Sequence, residues 1–202
     1  MRRLRVGLWS FLAVLCFAGG CLRDHGGSPT WRVGQWVRYD VTSHGDTWLL
    51  EYALVGEDRN GGSQLFWLEA RRLDVNDSLF VKCLVPSGLE GPAEEVVIGG
   101  NSLSSRLSVN GSHLPWTTER MSPNIERGKR TAHVEDLETP AGRFPTQKYE
   151  CPAGEIWFSP RVPLFGIVRS KNLDVEMVLV AYGLKGATSE LKEAPETETI
   201  TY

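Results

Sequence analysis

Catalytic signatures are missing from this chain of 202 residues. It has no G-x-S-x-G elbow, no H-E-x-x-H, no C-x-x-C, no phosphate-binding loop and no G-x-G-x-x-G. The familiar serine-hydrolase, zinc-protease, dithiol and nucleotide-binding arrangements are therefore excluded. Histidine is scarce and scattered: His25, His44, His113 and His133. A metal site would need His113 and His133 to meet Glu135 or Asp136 in space, which their separation supports little. Asp74 to Ser78 imitates the start of a calcium loop. Leu79 stands where that loop needs glycine and Val85 where it needs glutamate, so a turn is expected. Asp136 and Glu138 would share one strand face, yet a glycosidase pair also needs a cleft and a raised pKa. No metal or cofactor is expected.

Positive charge is also in short supply. The formal net charge is −3, and three of the arginines (Arg2, Arg3, Arg5) stand in a leader without acids, leaving −6 for residues 21–202. Nucleic-acid binding needs a cationic footprint, so that class is disfavoured. Long apolar runs are absent beyond residues Val6 to Ala18, which are too few to span a bilayer as a helix.

What is present begins with that leader. A basic start, the apolar run and Ala18-Gly19-Gly20-Cys21 have the layout of a secretory signal. The small residues before Cys21 resemble a bacterial lipobox, with Ala18 in place of the usual leucine. The resemblance implies cleavage before Cys21 and two or three acyl chains on it. Leu22 is not the aspartate of inner-membrane retention. The expected location is the cell envelope, on an outer membrane facing the periplasm rather than on the inner membrane. Plain secretion is the alternative.

Cysteine arithmetic agrees with lipidation. Cys16 leaves with the leader, and acylated Cys21 leaves Cys83 and Cys151 as an even pair in an oxidising compartment, where a disulfide is expected. Expected organisation is a signal peptide at 1–20, a lipidated start and polar tether at 21–30, a β-domain at 31–182 and an acidic, disordered tail at 183–202.

The body alternates with period two. Val33, Val37, Tyr39 and Val41 share one face, as do Trp48, Leu50, Tyr52 and Leu54. Gly56 to Gly62 reads as a hairpin loop, Thr139-Pro140-Ala141-Gly142 as a tight turn, and Val175 to Ala181 as the closing strand. Pro92–Val97 and Ser122–Arg127 are the short helix candidates. The expected fold is mainly β: an antiparallel meander forming a curved open sheet (a half-barrel) or a barrel, with one or two short helices.

Six tryptophans follow the leader: Trp31, Trp36, Trp48, Trp67, Trp116 and Trp157. They suit core packing in a curved sheet, or an aromatic groove. Trp36 points away from the Val37/Tyr39 face, so either both faces are covered or Trp36 lines something. Val162 to Val168 reads as an edge strand, because Pro163 cannot donate to a ladder. Trp36, Trp157, Pro163 and Phe165 are the candidate groove rim.

Gly34-Gln35-Trp36-Val37-Arg38-Tyr39, then Thr139-Pro140-Ala141-Gly142-Arg143-Phe144, then Trp157 to Val168 occur in an order similar to that of bacterial envelope β-proteins of unassigned role. These look distantly like the half-barrel of lipoprotein carriers. The resemblance implies an apolar concavity and no catalytic residues. The leading expectation is an envelope lipoprotein, held on the membrane through acylated Cys21, that binds a lipid or other hydrophobic ligand or an envelope protein partner. A structural subunit docking through an edge strand and a hydrolase with a scattered site are the alternatives.

Overall fold

A computed structural model describes residues 29–60, 63–74, 80–87, 93–100, 103–108, 129–151 and 154–189. Cys21, Trp116, His113, Ser122–Arg127 and the tail beyond Ser189 lie outside them. The strands are β1 (Trp36–Ser43), β2 (Asp46–Asn60), β3 (Ser63–Arg72), β4 (Phe80–Pro86), β5 (Glu95–Gly100), β6 (Leu103–Ser108), β7 (Lys129–Thr139), β8 (Gly142–Cys151), β9 (Gly154–Phe158), β10 (Ile167–Asn172) and β11 (Val175–Gly183).

They form one antiparallel sheet of 11 strands in the order β6-β5-β4-β3-β2-β1-β11-β10-β9-β8-β7. The order follows the chain around a ring. First and last strands pair through Trp36↔Gly183 to Ser43↔Val175, and the sheet is open between β6 and β7. The expected open, curved meander is what forms. No α-helix occurs among the described residues, and part of Pro92–Val97 is the start of β5. Its Val96 and Val97 are β-branched and pair with Cys83 and Lys82, so cross-strand packing overrides the helical reading.

Period-two alternation sets the inner face. Val37, Tyr39 and Val41 of β1 share it with Leu50, Tyr52 and Leu54 of β2, Phe66 and Leu68 of β3, and Met177 and Leu179 of β11, all in one cluster at 2% exposure or less. Burying a large apolar side chain contributes about 1.5–3 kcal/mol, so this face drives the fold.

β2 runs on to Asn60 instead of turning at Gly56. Gly56 lies opposite Trp67, whose ring covers the space a side chain would take. A register shift between Leu54 and Gly56 bends β2 there.

Candidate functional site

Among the described residues, part of the concave face is covered by the chain itself. Residues 159–166, between β9 and β10, fold inward, with Val162, Pro163, Leu164, Phe165 and Gly166 all buried. Phe165 packs edge-on against Tyr52, with ring centroids 5.2 Å apart, and against Trp31 at 6.2 Å. Trp31 in turn meets Phe66 at 5.7 Å. Its indole Nε1 donates to the Leu164 carbonyl at 2.9 Å, and the Tyr39 hydroxyl donates to the Ile167 carbonyl at 3.1 Å. The first bond ties the loop to the segment before β1, and the second ties the start of β10 to β1.

The expected edge strand Val162–Val168 is therefore a buried loop followed by the start of β10, which lies between β9 and β11. Pro163 needs no ladder bond in a loop, and Gly166 (φ +69°) packs under the Phe158 ring. Leu164 also adopts a positive φ of 61°, which an L-residue takes at a cost of about 1–3 kcal/mol. Within this loop the Ser159 hydroxyl is buried and has no hydrogen-bond partner.

Of the four candidate rim residues, Pro163 and Phe165 belong to this inner plug. Trp36 and Trp157 stand on the opposite, convex face, so the four do not surround one opening. Register places Trp36 beside Ala53 and Arg38 beside Glu51 on β2. On β3 the next residues are Glu69 and Arg71, and on β4 Lys82 and Phe80.

Two cross-strand rows result. In the first, the Glu51 carboxylate accepts from Arg38 Nε at 2.6 Å and from Arg71 Nη2 at 2.6 Å, although Glu51 is only 3% exposed. In the second, Glu69 is 1% exposed and accepts from the Ser189 hydroxyl at 2.7 Å. Lys82 is half-buried, and burial holds its pKa below the usual lysine value against the pull of Glu69 and Glu95.

Cations cap the tryptophans of this face. The Arg38 guanidinium lies 4.5 Å from the Trp36 ring, whose indole covers Gly183. Lys82 Nζ lies 4.9 Å from Trp67. Trp157 has Lys148 at 5.1 Å and Arg169 at 5.3 Å, and its Nε1 donates to Glu135. Each such contact is worth about 0.5–1 kcal/mol when exposed. The tryptophans of this face thus anchor charges over the sheet.

Cys83 carries a free thiol on β4, packed against the core; the side chain of Cys151, its expected disulfide partner, lies outside the described residues. β8, which ends at Cys151, stands seven strands away in the sheet order. Burial pushes the Cys83 pKa up to about 12, which disfavours the reactive thiolate. Among the described residues no group of three His, Cys, Asp or Glu side chains gathers as a metal site.

No protein-family model matches the chain. No curated protein matches it either. Two solved structures share a loose likeness of chain path. One is of a presumed lipoprotein of Parabacteroides distasonis, 12% identical, with a TM-score of 0.41 over 77% of this chain and 97% of the other. The second is of a presumed exported protein with a YmcC-like fold from Bacteroides fragilis, 14% identical, with a TM-score of 0.39 over 77% and 98%. Scores at this level carry no functional inference.

Sequence reasoning missed the convex rows and the strap that follows β11. Residues 183–189 stay bonded to the body, through Ala187 N to the Gly34 carbonyl at 2.9 Å and through Ser189. The signal that pointed this way was Trp36, out of phase with the core face.

Proposed function

We propose that the protein is a bacterial envelope lipoprotein, tethered through Cys21, whose β-domain docks a protein partner. The observation that carries the docking half is the plug. Phe165, Leu164 and Val162 occupy the concavity that an apolar ligand would need, and Trp31, Tyr39 and Tyr52 are used to hold them. The part of the inner face covered by this aromatic packing offers a ligand no dry cleft. The tethering half rests on the leader and Ala18-Gly19-Gly20-Cys21.

From Cys21 the chain reaches at most about 3.3–3.6 Å per residue, so the domain hangs within roughly 35 Å of the membrane. Binding is then between a membrane-held module and a neighbour in the envelope. Leu22, standing where an aspartate would signal inner-membrane retention, supports an outer-membrane location.

Photo-crosslinking in intact cells tests the docking. A photoreactive residue is placed in turn at the exposed positions Val134, Leu173 and Leu184. A protein adduct of one mass, formed from one of these surfaces and not the others, supports the proposal. Absence of any adduct, together with a lipid that copurifies at one per chain, overturns it in favour of ligand carriage.

A further inference from the structure

Exposed apolar side chains are not spread evenly over the surface. Among the described residues the exposed large hydrophobics are Val33, Val134, Leu173, Tyr182 and Leu184. Three of these five, Val33, Tyr182 and Leu184, lie at one corner, where the tether joins the domain. Val33 precedes Gly34, and Leu184 precedes Lys185. Gly34 (φ +96°) packs against the Lys185 backbone, and Ala187 N donates to the Gly34 carbonyl at 2.9 Å.

The two chain segments therefore present matching pairs side by side. Arg32-Val33 comes from the amino-terminal side and Leu184-Lys185 from the strap, with Arg32, Val33, Leu184 and Lys185 all exposed. The corner is held in shape. Gly34 N donates to the Leu54 carbonyl at 2.8 Å, Arg32 N donates to the Gln35 side chain at 3.0 Å, and Gln35 Nε2 donates to the Thr30 carbonyl at 3.2 Å.

We propose that this corner rests on the bilayer to which the chain is tethered, with Val33, Leu184 and Tyr182 at the headgroup boundary. Arg32 and Lys185 face the lipid phosphates. The chemistry is that of an interfacial contact: apolar side chains enter the boundary while long cationic ones reach the headgroups. With two or three acyl chains already holding Cys21, such a second contact would set the orientation of the domain on the bilayer. The β2–β3 hairpin, past the register shift in β2, continues at this same end of the sheet and carries Glu57 and Asp58.

An orientation follows. β1 starts at this corner, so the β1–β2 turn at the far end of the strand points away from the membrane. Asn172↔Gly154 and Ser43↔Val175 pairing puts the β10–β11 turn, with Leu173 fully exposed at its tip, at that same far end.

The inference rests on tethering at the amino terminus but is tested apart from acylation. The chain from residue 22 is held on vesicles of phosphatidylethanolamine and phosphatidylglycerol containing a nickel-chelating lipid, through an amino-terminal histidine tag. Val33→Cys, Leu184→Cys and Leu173→Cys variants, made in a Cys151→Ser background, carry an environment-sensitive fluorophore. A nitroxide quencher sits in the lipid at headgroup depth. Quenching several-fold greater at 33 and 184 than at 173 is the expected result, and Tyr182→Asp lowers it while circular dichroism stays unchanged. Equal quenching at all three positions, or greater quenching at 173, overturns the proposal. Intact mass of the cell-derived protein reports separately whether Cys21 is acylated. Failure of the anchor and failure of the corner are thus told apart.

Discussion

The Phe165 ring stands at 89° to that of Tyr52, with centroids 5.2 Å apart, in the middle of the concave face. A loop between β9 and β10 thereby covers part of the inner face of the sheet. Phe165→Ala removes the ring from a site at 2% exposure. The expected loss is about 3–5 kcal/mol, the range for aromatic truncation in a core. Urea denaturation followed by tryptophan fluorescence measures it, and a loss well under 1 kcal/mol would mean that the plug is not seated as described.

Glu51 between Arg38 and Arg71 gives a second prediction. Glu51→Ala leaves the Arg71 guanidinium, itself only 15% exposed, without this carboxylate, and costs about 3–5 kcal/mol. Arg38→Ala costs less, about 1 kcal/mol, because Arg38 is 38% exposed and water screens its pair. Thermal melts of the two variants should rank in that order.

Alkaline pH tests the buried titratable groups. The Cys83 pKa rises on folding from 9.0 to about 12 because burial disfavours the thiolate. Burial also raises the Tyr39 pKa from its usual 10.0. In both cases the unfolded state releases its proton first. Their stabilising effect is full below about pH 9 and is lost as pH rises toward 12. Stability should therefore fall above about pH 9, and Tyr39→Phe should shrink that fall. Native protein should also leave Cys83 unmodified by a maleimide at pH 7, with reaction only after denaturation.

Much of this fold is legible in the residues. Val37/Tyr39/Val41 and Trp48/Leu50/Tyr52/Leu54 alternate strictly, and Thr139-Pro140-Ala141-Gly142 closes the β7–β8 turn as its chemistry demands. Val162 to Val168 is different. An apolar run announces burial, but periodicity cannot separate a short strand from a loop packed inside a sheet. What decides is a contact across 133 residues, Trp31 to Leu164, which no local pattern encodes. The Arg38–Glu51–Arg71 row is hidden for a similar reason. It exists only once two strand registers are fixed, and one residue of slip would disperse it.

The strap offers a further test. Ser189 Oγ donates to the buried Glu69 carboxylate, so Ser189→Ala removes one donor from an acid at 1% exposure. A loss of about 1–3 kcal/mol is expected. Hydrogen exchange should show the effect at β3 and β4 rather than at β9. An unchanged melting point would mean that the strap adds nothing to the body.

Native mass spectrometry of the Cys21→Ser protein purified from cells tests the central claim most directly. Without acylation, any hydrophobe that travels with the chain must sit in the domain. A mass equal to that of the polypeptide alone is the predicted result, because Phe165 and its neighbours already fill the concavity. A lipid-sized adduct at one per chain, lost on solvent extraction, would contradict the account.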